Sequence, residues 1–539
     1  MANQPKQLEA VAKSLIATDM ALIQGPPGTG KTTVIAEIIW QTLLRNPESK
    51  ILITSQTNLA VDNALERLRG KKMVRPIRIG NIDKFEDEGK MYSNERIQQW
   101  VAAKANSQEE RSNKDNAIND WINNISHRCS QENTYSDIIE KWKKGLACQQ
   151  SFLKPLFSSE YFKYVNVFAA TCSECGSKNF ASAYQSMFQK NQEIQGDPVF
   201  DVVIMDEASK AIPPELVLPL TLGKKVIIIG DHKQLPPMLD EKEFGEALEA
   251  IGAKDLIENW TKQDYKTSQF EKLFVNAPKG IVASLDTQFR MHEQIMNCIS
   301  QFYKDQEELE NGLLCGIRNR MDVPDFTDKA SRWHGFTILP FIEPKFHAIW
   351  VNVETAEKKV GTSYENQGEI DAIKTVLTAL TKANGFKEYM DYFQKDDDKE
   401  IGVITYYMPQ MDKIRKSLYQ GFSKEKWRNF EQHKYENEFQ IPFRINTVDR
   451  FQGMERNIII ISTVRSNIQI DEKGKEQKNN HYPFALGFAR ELQRVNVGFS
   501  RAKRLLIVVG NEKHFANKPE YAEAISKMHR VDVKQLKNL

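Results

Sequence analysis

The chain has 539 residues, with 74 Lys and Arg against 72 Asp and Glu for a formal net charge of +2. That length exceeds a single compact core and calls for two or more domains, and 40% hydrophobic with 27% charged residues excludes a disordered chain. The near balance of charge excludes a whole-molecule polycation but not nucleic-acid binding, which depends on where the positive charge sits.

In chain order, short apolar runs rich in β-branched residues end at polar turns at Met20–Gln24, Lys50–Thr54, Val165–Ala170, Val199–Met205 and Lys225–Gly230. A second series follows at Phe346–Val353, Glu400–Thr405, Asn457–Thr463 and Arg504–Gly510. Continuous rather than alternating runs predict parallel strands covered on both faces. Helical patterns such as Thr32–Arg45 and Leu59–Arg69 lie between them, so an α/β pattern occurs twice. The expected division is a first α/β domain over 1–72 and 164–305, an insertion over 73–163, a bridging segment over 306–345 and a second α/β domain over 346–539. Polar, helix-favouring stretches at Asn94–Asp120 and Tyr135–Cys148 make the insertion read as mainly helical, and Trp100, Trp121 and Trp142 argue that it packs.

No run of about 20 apolar residues is present, so no membrane-crossing helix is expected. The N-terminus lacks the apolar core of a signal peptide, and six cysteines are sparse usage, which fits a reducing cytoplasmic or nuclear setting. Cys172 and Cys175 form C-x-x-C without two further ligands at zinc spacing, so zinc is not expected and the pair reads as small residues in a loop.

The segment Gly25-Pro26-Pro27-Gly28-Thr29-Gly30-Lys31-Thr32, followed by Thr33, fits G-x-x-x-x-G-K-[ST] between an expected strand and an expected helix. Its backbone N–H groups can curl around phosphate oxygens, Lys31 supplies charge to the β- and γ-phosphates of ATP, and the Thr32 hydroxyl can ligate Mg²⁺. Such a loop needs an acid at a neighbouring strand end. Four apolar residues lead into Asp206-Glu207, with Asp206 the expected Mg²⁺ partner and Glu207 the expected general base.

Together with Gly230-Asp-His-Lys-Gln234-Leu-Pro-Pro, Gln288-Phe-Arg290-Met-His, Thr447-Val-Asp-Arg-Phe-Gln452-Gly-Met-Glu455 and Asn496-Val-Gly-Phe-Ser-Arg501-Ala-Lys503, these segments resemble the motifs of superfamily 1 helicases. They are most similar to the 5′-to-3′ branch and, within it, to the group of the nonsense-mediated-decay RNA helicase. The resemblance runs from Gln7 to about Asn511. It implies two tandem RecA-like P-loop NTPase domains that hydrolyse ATP in the cleft between them while moving along single-stranded RNA or DNA. It implies Gln7 and Phe289 against adenine, Gln234, Arg290 and Arg501 at the γ-phosphate, and Glu455 near the ribose. Guanidinium groups at that position neutralise charge spread over the phosphoryl oxygens in the transition state.

For nucleic acid, Ser55-Gln-Thr57-Asn58-Leu-Ala-Val-Asp62 resembles the family's motif Ia, where Thr57 and Asn58 either bind a phosphate or simply cap a helix. Thr405, Tyr406 and Thr447 occupy matching strand ends of the second domain. Tyr406 or its neighbour Tyr407 either stacks a base or belongs to the core. Arg465 either meets a phosphate or is solvated. Departures from the family pattern are Lys210 where Gln is usual, Tyr406 where Pro is frequent, Phe499-Ser500 before Arg501 and Phe289 in place of Tyr. The family often carries a β-barrel in the first insertion, whereas 73–163 reads as helical and is the expected site of a protein partner. A strand-stimulated ATPase that strips proteins without unwinding, and an ATP-gated clamp for a nuclease, are the competing readings.

Overall fold

The computed structural model describes residues 4–71, 73–93, 96, 164–188, 199–237, 241–258, 260–261, 264, 267–305, 309–393, 400–419, 433, 435–466, 468–470, 476–478, 486–537 and 539. The helices expected at Asn94–Asp120 and Tyr135–Cys148 lie outside them. The chain forms two compact units: Met1–Gln24 with Lys31–Gly230 and Pro237–Ala283, and Gly25–Gly30 with Asp231–Pro236 and Ser284–Leu539.

The first unit holds strands β1 (Met20–Gln24), β2 (Ile51–Ser55), β3 (Pro76–Arg78), β4 (Val167–Thr171), β5 (Phe200–Asp206), β6 (Gly223–Gly230) and β7 (Val282–Ser284). They make one seven-stranded sheet in the order β3-β4-β2-β5-β6-β1-β7, with parallel pairing from β3 through to β1. The register sets Gln24 opposite Gly230 and Ser55 opposite Asp206, so the segments leaving these strands start from one edge, where open α/β sheets bind ligands. Helices α1 (Pro5–Ile16), α2 (Lys31–Arg45) and α3 (Asn58–Leu68) belong to this unit. In α2, Val34, Ile35, Ile38, Ile39 and Leu43 recur at helical spacing and are buried.

In the second unit β8 (Thr287–Gln288) pairs with β9 (Leu314–Cys315). The main strands are β10 (Ala348–Asn352), β13 (Ile401–Thr405), β14 (Phe443–Thr447), β15 (Arg456–Ser462), β18 (Ala502–Gly510) and β19 (His529–Asp532), in the order β14-β13-β15-β18-β10-β19 and all parallel. Two hairpins, β11–β12 (Lys358–Val360, Ser363–Glu365) and β16–β17 (Ile468–Ile470, Glu476–Lys478), leave this sheet. Along β15, Ile459 and Ile461 enter one apolar cluster and Ile458 and Ile460 the other. Both faces are covered, which is why the run is uninterrupted isoleucine. Each such side chain contributes about 1.5–3 kcal/mol on burial.

The nine expected strands all form, with ends shifted by a residue or two. Four more were not anticipated in these sheets. Residues 76–78, read as insertion, are edge strand β3. β7 and β19 are short, and Arg444 and Asn446 break the apolar run of β14. No helix among the described residues is long and apolar enough to cross a membrane.

Candidate nucleotide site and nucleic-acid track

At the end of β5 the backbone of Glu207 turns left-handed, φ 53°, a conformation that a non-glycine residue holds only under constraint from its surroundings. Its N–H donates to Asp206 Oδ1 at 2.8 Å. Burial pushes the Asp206 carboxyl up to about 6, with Lys31 pulling it down and Glu207 pushing it further up. Thr57 Oγ1 lies 3.5 Å from Glu207 Oε2. Lys31 and Thr32 open α2, half-buried, while Thr33 is exposed. Gln7 is buried in the first turn of α1.

The glycine segment of the loop belongs to the second unit. Gly28 and Gly30 have φ of +76° and +80°, which only glycine adopts without strain. The Thr29 N–H and hydroxyl both donate to the Pro26 carbonyl, at 3.3 and 2.8 Å. Gly25, Pro26, Pro27 and Thr29 are buried. The Phe289 N–H donates to the Gly28 carbonyl at 2.9 Å, and a Cβ on Gly28 would sit 2.6 Å from Arg290 Cβ. The Phe289 ring packs on Gly316.

Arg290 Nε meets Glu455 Oε2 at 2.7 Å, and Lys503 Nζ meets Glu455 Oε1 at 2.5 Å. Burial alone would raise the Glu455 carboxyl; Arg290 and Lys503, with Arg501 nearby, outweigh it and hold it at about 2. Arg501 is 3% exposed. It donates to Val497 O at 2.9 Å, Ser500 Oγ at 3.0 Å and Met454 O at 3.3 Å. Gln234 Nε2 donates to Asp231 Oδ2 at 2.7 Å. Arg290, Glu455, Arg501 and Lys503 are thus one cluster, and the Glu455 carboxylate is occupied by two cations instead of standing open for a ribose.

The expected nucleic-acid residues divide. Thr57 and Asn58 are half-buried. Thr57 accepts from Ala60 N at 3.3 Å as the N-cap of α3, and Asn58 Oδ1 accepts from Arg78 at 2.6 Å. Thr405, Tyr406, Thr447 and Arg465 are buried, at 0, 3, 6 and 5% exposure. The Tyr406 ring lies in an apolar cluster of the second unit, the core alternative of the two readings the sequence left open. Arg465 is neither solvated nor open to a phosphate. Glu357 grips it at 2.8 and 3.1 Å, and its guanidinium lies over Tyr364 at 4.0 Å.

Several positioning residues escape the motif reading. Arg332, from the bridging segment, donates to the carbonyls of Phe289 and Arg290 and so props that loop. Glu369 is fully buried and accepts from Ser462 Oγ, Thr463 Oγ1 and Val464 N at 2.6, 3.1 and 2.8 Å. It fixes the turn after β15, where Val464 has φ of 69°. In sequence, Glu369 three residues after Asn366 reads as an ordinary capping-box acid. Asp231 and Asn496 lie inside quoted motifs, but only their spatial partners give them roles.

Among the described residues, one group could share an ion: His292, Asp322 and His347. The two imidazoles are stacked at 3.5 Å with 7° between planes. Lone pairs in parallel planes do not converge on one ion, since imidazole binds a metal within its ring plane. Cys172 and Cys175 lie in the turn and short helical segment that follow β4, as the loop reading expects. Both are buried, with Thr54 Oγ1 3.4 Å from Cys172 Sγ, and burial pushes the Cys172 thiol up to about 11 and Cys175 higher still.

Two family models, each described as an AAA domain, match residues 3–242 and 265–513. The chain is 28% identical over 525 residues to DNA polymerase alpha-associated DNA helicase A of Saccharomyces cerevisiae, covering 92% of this chain and 63% of that protein. It is 28% identical to an uncharacterised ATP-dependent helicase of Methanocaldococcus jannaschii, over 97% and 70% of the two chains. It is also 28% identical to a regulator of nonsense transcripts 1 homolog of Neurospora crassa, covering 94% of this chain and 37% of that protein. The chain therefore spans between about a third and about two thirds of the length of these relatives. Among solved structures, Arterivirus nonstructural protein 10, a helicase, aligns at 11% identity with a TM-score of 0.35 over 94% of this chain and 62% of that one.

Proposed function

Since the chain belongs to the superfamily 1 helicases related to the nonsense-mediated-decay group, we propose that it is an ATP-dependent helicase moving 5′-to-3′ on single-stranded RNA or DNA. The observation that carries this reading is the pairing of an intact P-loop with a gathered set of cations. Gly28 is seated on Phe289 and Arg290, and Arg290, Arg501 and Lys503 surround Glu455.

In this reading Lys31 and the loop amides hold the β- and γ-phosphates of ATP. Glu207, constrained by its left-handed backbone, accepts the proton of the attacking water. Arg290 leaves Glu455 for the γ-phosphate, and Arg501 neutralises the charge that grows there. The donors near Lys31 fit a hard divalent cation such as Mg²⁺: Thr32 offers a hydroxyl, and Asp206 is a carboxyl raised by burial, with the neighbouring Glu207 adding to the rise. When bound, Mg²⁺ would offset charge on the β- and γ-phosphates. Thr57 and Asn58 are the residues we assign to the strand backbone, because they remain partly exposed at the end of β2.

The test compares ATPase stimulation and unwinding on RNA and DNA duplexes carrying 5′ or 3′ tails. Unwinding from 5′ tails only is expected. Unwinding from 3′ tails only would overturn the direction, and strong stimulation without unwinding would favour a protein-stripping ATPase.

A further inference from the structure

Beneath the γ-phosphate sensor lies a closed hydrogen-bond chain that none of the catalytic roles uses. Asp231 follows β6 and is 3% exposed. Its Oδ2 accepts from Gln234 Nε2 at 2.7 Å and from the Tyr303 hydroxyl at 2.8 Å, while its Oδ1 accepts from Lys233 N at 3.1 Å. The Tyr303 hydroxyl in turn accepts from Asn496 Nδ2 at 2.7 Å, and the same amide nitrogen donates to the Lys233 carbonyl at 2.8 Å. Tyr303 and Asn496 are both fully buried. Asn496 stands in the helix Leu492–Phe499, and Arg501 leaves that helix, still bonded to its Val497 carbonyl. The side chain that would sense the γ-phosphate and the arginine that would neutralise it are therefore joined through one phenol, inside one compact unit.

Two features mark this chain as more than core packing. Tyr303 is the only link between Asp231 and Asn496 that uses side chains alone among the bonds described, and it works as donor on one side and acceptor on the other. Such a hydroxyl transmits polarity: when Gln234 turns its amide to a phosphate, Asp231 loses a donor and draws harder on Tyr303, which then draws on Asn496. In addition, Asn496 Oδ1 is buried with no hydrogen-bond partner among the described residues. A buried acceptor left unmet calls for an explanation, and a second arrangement of the helix in which it is satisfied supplies one.

Resting on the ATPase reading above, we propose that Tyr303 is a positioning residue that couples Gln234 to Arg501 through Asp231 and Asn496, so that the state of the γ-phosphate sets the seat of the arginine. The experiment measures kcat and KM for ATP, with and without a single-stranded oligonucleotide, in the wild type, Tyr303→Phe, Asn496→Ala and the double variant, with thermal unfolding of each. Tyr303→Phe keeps the ring and removes only the hydroxyl. Its kcat is expected to fall by about tenfold or more, in the range of a typical coupling between sites, with KM for ATP little changed. The double variant is expected to be no slower than the slower single one, because both break the same chain. A folded Tyr303→Phe with wild-type kcat and stimulation, or additive losses in the double variant, would overturn the proposal. If Tyr303→Phe does not fold, Asn496→Ser removes the same bond from the other side and carries the same expectation. A wild type that hydrolyses no ATP sinks the functional reading itself, a result distinct from either outcome in the variants.

Discussion

On the proposed reading, replacing Glu207 or Arg501 is expected to separate binding from chemistry. Glu207→Gln keeps size and shape but cannot take a proton. Turnover is expected to fall by about 10²–10⁴ while ATP affinity, measured by equilibrium titration, stays within a few-fold. Normal turnover in this variant would remove Glu207 from the role of base. Arg501 is buried and bonded to Val497, Ser500 and Met454. Arg501→Ala is expected to lower kcat by about 10³ or more with a much smaller change in affinity, and equal losses in both would point to ground-state binding. These residues were legible in the sequence because each sits in a motif whose spacing the chemistry dictates. The partner of Arg290 was not: Glu455 stands far along the chain, and nothing local shows that its carboxylate faces two cations.

At the scale of elements, α3 is held to the edge of the first sheet by a buried ion pair. Arg78 on β3 donates to Asp62 Oδ1 at 2.7 Å, and both are almost wholly buried. Glu86 N occupies the other carboxylate oxygen at 2.9 Å. Arg78→Met leaves Asp62 charged, buried and short of its main partner. It is expected to destabilise the first unit by about 3–5 kcal/mol, read from the urea midpoint; a change under about 1 kcal/mol, the scale of exposed pairs, would mean that water reaches Asp62. The sequence showed α3 and left its cap open between Thr57 and Asn58; the structure assigns it to Thr57. The sequence did not show β3, because a three-residue edge strand carries too little pattern to register. The same limit applies to Tyr406. Its type suits base stacking and core packing equally, and only the covering of the second sheet by packed side chains decides for the core.

For the whole molecule, three histidines at 292, 334 and 347 lie together in the second unit. Burial, with their mutual repulsion and nearby arginines, depresses all three, His292 and His347 to about 3. Between that value and the ordinary 6.5 of an unfolded chain, the unfolded state binds protons that the folded state refuses. Their contribution is therefore complete above about pH 6.5 and is lost as the pH falls towards 3. Glu369 acts in the opposite sense: burial raises it to about 7, so its contribution is complete below the ordinary 4.5 and is lost as the pH rises through 7. The urea midpoint of the second unit is expected to fall on going from about pH 7 to about pH 5, and His292→Gln with His347→Gln is expected to flatten that fall. Equal slopes in wild type and variant would assign the loss to other groups. The sequence by itself determined two parallel α/β sheets, the phosphate loop and the order of the motifs, because burial on both faces demands unbroken apolar runs and phosphate chemistry demands fixed local spacings. Only the tertiary structure decided that Glu455 binds Arg290 and Lys503, that Arg465 is locked to Glu357, and that Tyr303 joins Asp231 to Asn496. Those contacts join residues remote in sequence, and charge and hydrogen bonding act through space, where no local pattern records them.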